Sequence, residues 1–90
     1  MKGDKMEKFC FVVERIEWDD DLGSDEYWED RCICRVCKFH EDAKAFVEGN
    51  SAEVPYPMQW LGDRKYSGRS VTDGRHEEGL IYILHYVAMF

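Results

Sequence analysis

The sequence predicts one small α+β domain spanning residues 1–90: an antiparallel sheet of about four strands with one short helix packed on one face, in the order β-β-α-β-β. Three observations carry this. Strand signals recur at Phe9–Trp18, rich in aromatic and β-branched residues, at Arg31–Cys37, which alternates charged and small apolar residues, and at Lys65–Val71 and Leu80–Val87, which flank a turn. One segment between them has helical spacing, and an Asp-Gly pair marks a hairpin. Ninety residues allow one modest core, and 44% hydrophobic with 14% aromatic residues is well above what disordered chains carry.

Phe9–Trp18 (FCFVVERIEW) is the first predicted strand. Asp19–Asp30 combines Asp, Gly, Ser and Glu, residues that favour turns, with like charges that repel when packed together. A loop anchored by Trp18, Tyr27 and Trp28 is expected there. Alternation in Arg31–Cys37 gives a second strand with Cys32 and Cys34 on one face and Ile33 and Arg35 on the other.

His40–Gly49 carries Glu41 and Asp42 in its first turn and an apolar stripe of Ala43, Phe46 and Val47, and Gly49-Asn50 stops it. It is the predicted helix. Val54–Leu61 holds Pro55 and Pro57, which lack backbone donors, so a central strand is excluded. An irregular crossing that packs Tyr56, Met58 and Trp60 on the body is expected instead. Thr72-Asp73-Gly74-Arg75 then joins the last two strands, and the charges at Arg75–Glu78 extend the loop beyond two residues. The final strand, apolar on both faces, belongs at the sheet centre or in a homodimer contact.

The join VCKFHEDAKAF is similar to that of small uncharacterised bacterial and phage domains, in which a strand ending in Val-Phe leads through polar residues to an acid-rich, Ala-containing helix. The resemblance covers roughly Ile33–Phe46, with Cys37 in place of the usual aromatic. It implies an α+β domain and no particular activity.

The net charge of −7 is local. Eight acids (Glu17, Asp19, Asp20, Asp21, Asp25, Glu26, Glu29 and Asp30) stand in one stretch with no Lys or Arg among them, and outside it eleven acids face 12 basic residues. No run approaches the roughly 20 apolar residues of a membrane-spanning helix, and Met1–Lys8 lacks a secretory apolar core. A soluble, cytoplasmic protein with reduced thiols is expected, with no membrane partner.

Four features bear on function. Cys32, Cys34, Cys37 and His40 are a formal Cys₃His set for zinc, but an extended strand sends Cys37 to the face opposite Cys32 and Cys34, and small thiols pack well in half-buried strands. Neither a metal nor another cofactor is expected. Cys37 with His40 is a poor nucleophilic pair, since such groups usually meet in space and not along the chain, and His76-Glu77-Glu78 reads as a solvated turn. No catalytic residues are assigned.

The acidic segment fails the EF-hand pattern, because Ser24 and Asp30 fall where Gly and Glu are needed counting from Asp19. Its carboxylates mixed with aromatic side chains imitate the spaced negative charge of a nucleic acid, which also excludes direct nucleic-acid binding by that segment. The expectation is a non-enzymatic interaction or inhibitor protein, of the kind phages direct against host enzymes, that engages a basic protein through Trp18, Asp19, Asp20, Asp21, Asp25, Glu26, Tyr27 and Trp28. The alternative is a binder of nucleotides or other phosphate compounds using Trp60, Arg64, Lys65, Tyr66, Arg69 and Arg75, where guanidinium forks and rings cluster in the sequence. Against it stands a plainer role for these cations, guarding an edge strand from sheet-to-sheet pairing.

Overall fold

In the computed structural model, which describes residues 8–21, 26–72 and 74–89, the chain forms β1 (Lys8–Asp21), β2 (Glu26–Cys37), α1 (His40–Asn50), β3 (Met58–Trp60), β4 (Lys65–Thr72) and β5 (His76–Met89). The strands make one antiparallel sheet in the order β2-β1-β5-β4-β3. The expected α+β architecture with a single helix holds among the described residues, and the sheet has five strands where about four were expected. The fifth is β3, three residues long, which follows Pro55 and Pro57 and pairs only with β4. Proline confines it to the edge, as its missing donor requires.

The last strand takes the central place that its apolar composition demands. β5 runs between β1 and β4 and pairs with β1 over 14 residues, from Lys8 opposite Met89 to Asp21 opposite His76. The β4–β5 turn closes on Thr72 opposite His76, with Gly74 at φ 66° supplying the left-handed residue that the tight connection needs. The His76–Glu78 segment, expected in that loop, therefore begins the strand. Leu80, Tyr82 and Leu84 on β5 join Val13, Cys37, Ala43 and Val47 in one buried cluster. Val13, Val47 and Leu84 are completely buried, and each such side chain contributes about 1.5–3 kcal/mol relative to exposure.

α1 lies on this face only. Ala43 and Val47 point inward, while Glu41 and Asp42 stand in the first turn, where carboxylates favour the positive end of the helix. Ser51 closes the helix by donating its hydroxyl to the Val47 carbonyl at 2.7 Å.

A register shift between Val13 and Glu14 leaves Cys34 as an extra residue in β2: Val13 faces Arg35, and Glu14 faces Ile33. One inserted residue reverses the alternation beyond it. Cys32, Arg35 and Cys37 thus share the helix face, correcting the expectation that Arg35 pairs with Ile33 in facing and that Cys37 opposes Cys32. Arg35 uses the position to set its guanidinium 5.0 Å from the centre of the Phe46 ring.

Candidate functional site

β1, β2 and β5 run well past the helix as a twisted ribbon, and the molecule measures 62 × 23 × 19 Å. The ribbon carries the acids. Asp19, Asp20 and Asp21 are the end of β1, and Glu26 to Asp30 the start of β2, so the expected loop is a pair of hydrogen-bonded arms with only residues 22–25 outside the description. Two things overcome the turn preference of Asp and the weak strand propensity of Glu. Trp18, Tyr27 and Trp28 favour extended backbone, and alternation sends neighbouring charges to opposite faces.

On the helix face stand Glu17, Asp19 and Asp21 of β1, Glu26, Trp28 and Asp30 of β2, and His76 and Glu78 of β5; the other face shows Trp18, Asp20, Tyr27, Glu29 and Glu77. The predicted contact residues are thus brought to one end of the molecule but divided between its two faces. Asp25 lies outside the described residues. Tyr27 and Trp28 are 57% and 50% exposed. Trp18 differs, for its indole is held against Gly79 of β5, its direct partner in register.

The ribbon is partly self-neutralised. Tyr27 donates its hydroxyl to Glu29 at 2.8 Å, and the Arg31 guanidinium also donates to Glu29. Those two hydrogen bonds, Arg31 first, hold the Glu29 carboxyl below its usual range, while the bond to Glu29 pushes the Tyr27 phenol up. Arg31 reaches Glu14 at 3.6 Å, and His76 lies 3.1 Å from Asp19 and 3.5 Å from Glu78. For Asp20, Asp30 and Glu77 no ion pair forms among the described residues.

The zinc set does not assemble. Cys37 is buried in the core, Cys32 and Cys34 are exposed with their sulfurs 3.7 Å apart, and His40 Nε2 sits 2.6 Å from the Asp63 carbonyl. Among the described residues the group whose atoms converge as metal ligands would is Asp19, His76 and Glu78. Sequence reasoning missed it because His76 and Asp19 meet only through the β1–β5 register. Its separations equally suit a histidine held between two carboxylates.

The basic residues of the alternative site are scattered. Trp60 and Tyr66 pack with ring centres 4.7 Å apart, Lys44 covers Trp60 at 5.0 Å, and the Trp60 indole donates to Glu48. Its ring is already occupied. Arg64 lies over Tyr86 at 5.1 Å, Lys65 and Arg69 project from the face away from the helix, and Arg75 is in the β4–β5 turn. Arg69 does meet Trp18, Gln59, Ser67 and Ile81 around a shallow cleft of about 380 Å³.

The chain matches no family model, no curated protein and no solved structure. No described helix is long and apolar enough to cross a membrane.

Proposed function

We propose that this is a non-enzymatic interaction protein that offers its acidic ribbon to a basic protein surface, such as the groove of a nucleic-acid-binding protein. The observation that supports it most is the charge of the ribbon end. Segments Glu17–Asp21, Glu26–Arg31 and His76–Glu78 bring nine carboxylates together with Arg31 and His76 the basic residues among them and Arg15 paired to Glu17, on a body 23 × 19 Å in section. Carboxylates on both faces, fixed by strand backbone, give a preorganised rod of negative charge, and Tyr27 and Trp28 add exposed apolar anchors. Steering would come from the field of the rod and retention from the rings.

The test is competition. The protein is expected to displace duplex DNA from a basic groove-binding protein, with loss of the effect as salt rises from about 50 to about 200 mM. Changing Asp20 and Asp30 to Asn and Glu77 to Gln, three acids without ion pairs among the described residues, is expected to weaken capture while leaving the circular dichroism spectrum intact. Undiminished capture by that variant rejects the proposal.

A second reading rests on the cleft where Arg69 meets Trp18, which suits a small phosphate-bearing ligand. It requires a nucleotide to raise the melting temperature of the protein and Arg69→Ala to abolish the rise.

A further inference from the structure

The two edges of the sheet are treated differently. β3 exposes three residues beside two prolines, a short edge that resists pairing. β2 exposes twelve. It pairs with β1 alone, contains no proline or lysine, and its side chains are exposed from Glu26 to Val36 on both faces, with Ile33 and Val36 60% and 59% exposed. An extended strand of this length leaves a row of backbone donors and acceptors open along one side, a template for another strand.

The sequence of β2 names that strand. Its acids, Glu26, Glu29 and Asp30, come first, and its bases, Arg31 and Arg35 with Lys38 just beyond the strand, come after them. A strand of this pattern is complementary to itself when antiparallel. We propose that β2 pairs with β2 of a second copy across a two-fold axis at Cys32, joining two sheets edge to edge. Allowing for the extra residue at Cys34 in each strand, this register keeps like faces together. Cys32 meets Cys32 and Arg31 meets Ile33. Asp30 lies opposite Arg35, Glu29 opposite Val36, and Tyr27 opposite Lys38, each twice by symmetry.

Asp30 has no ion pair among the described residues, and Arg35 has only the Phe46 ring. The two-fold supplies each with its opposite charge. Edge pairing leaves both faces of the acidic ribbon open, so it is compatible with capture of a basic partner and independent of it.

Sedimentation of the purified protein measures the pairing, and charge reversal identifies the strand. The wild-type protein is expected to sediment as a dimer at micromolar concentration. Asp30→Arg places two like-charged pairs in its homodimer and Arg35→Glu does the same with opposite sign, so each alone is expected to weaken association about tenfold or more. Mixed together, the two variants form a heterodimer in which both contacts are again attractive, and association is restored. Asp30 is exposed, so its variant keeps the test valid if Arg35→Glu, which removes the contact with Phe46, fails to fold. A monomer at about 100 μM, or a dimer indifferent to Asp30→Arg, overturns the proposal.

Discussion

The indole of Trp18 rests on Gly79, its direct cross-strand partner, so closely that a methyl group built on Gly79 would collide with the ring. A glycine inside a long strand weakens it, and here an aromatic neighbour covers the gap. The pair holds β1 to β5 on the face away from the helix, at the root of the acidic ribbon.

Gly79→Ala is therefore expected to expel the indole. A loss of about 1–3 kcal/mol in unfolding free energy, with a red-shifted, more quenchable tryptophan emission, is the expected outcome of denaturant titration followed by fluorescence. Unchanged emission and stability would show that Trp18 does not occupy this position.

The four thiols divide by burial. Cys32 and Cys34 are exposed on β2, whereas Cys10 and Cys37 are each 6% exposed. A thiol reagent is expected to modify two groups per chain quickly and the other two at least about a hundredfold more slowly, only through opening of the structure. Burial comes first among the causes that raise the Cys34 thiol, followed by its bond to Cys32. A raised thiol is less often the reactive thiolate at neutral pH, so the rate at Cys34 is expected to climb as the pH is made mildly alkaline. Mass spectrometry of partly modified protein reads both results, and four equally fast thiols refute the arrangement.

Leu84 faces Val13 across the β1–β5 pair, and both are completely buried in one cluster with Val47. The sheet has a single helix on it, so few atoms can move into a hole there. Leu84→Ala is expected to cost about 2–5 kcal/mol, a large share of the roughly 5–13 kcal/mol that a domain of this size possesses. Ile33→Ala, which truncates a side chain 60% exposed on β2, is expected to stay within about 0.5 kcal/mol under dilute conditions. Equal losses for the two variants, measured by urea unfolding, contradict the placement of the core.

Much of this fold was legible in local chemistry. The spacing of Ala43, Phe46 and Val47 marked the helix, Asp-Gly marked the last hairpin, and an apolar β5 marked the sheet centre. What escaped depends on pairing across strands. Asp19–Asp21 and Glu26–Asp30 read as loop because the charges of one segment were weighed alone, whereas Arg31, His76 and alternate facing stabilise them as strands. The bulge at Cys34 leaves no mark in a seven-residue segment, yet it decides which face Arg35 and Cys37 occupy. The expected contact residues, as far as they are described, lie together at one end of the sheet. Their division between two faces, and the addition of Glu77 and Glu78 from β5, required the register.

The Tyr27–Glu29–Arg31 row on β2 makes the ribbon sensitive to acid. Glu29 accepts from both neighbours, and its folded-state carboxyl lies below the ordinary value. A depressed carboxyl contributes stability that is present above its unfolded pKa, near about 4.3, and lost as pH falls through the folded value. Glu29→Gln is accordingly expected to lower the melting temperature slightly at pH 7 and to have no effect once the pH has fallen below the folded value and both states are protonated. The effect is small because the group is fully exposed and solvent screens it. Carbon-13 titration of the Glu29 carboxyl gives the direct reading: a midpoint below that of an unpaired glutamate, moving upward in Arg31→Ala and less in Tyr27→Phe. A midpoint at or above the ordinary value would mean that the row does not form and that the two arms of the ribbon present their charges unbridged.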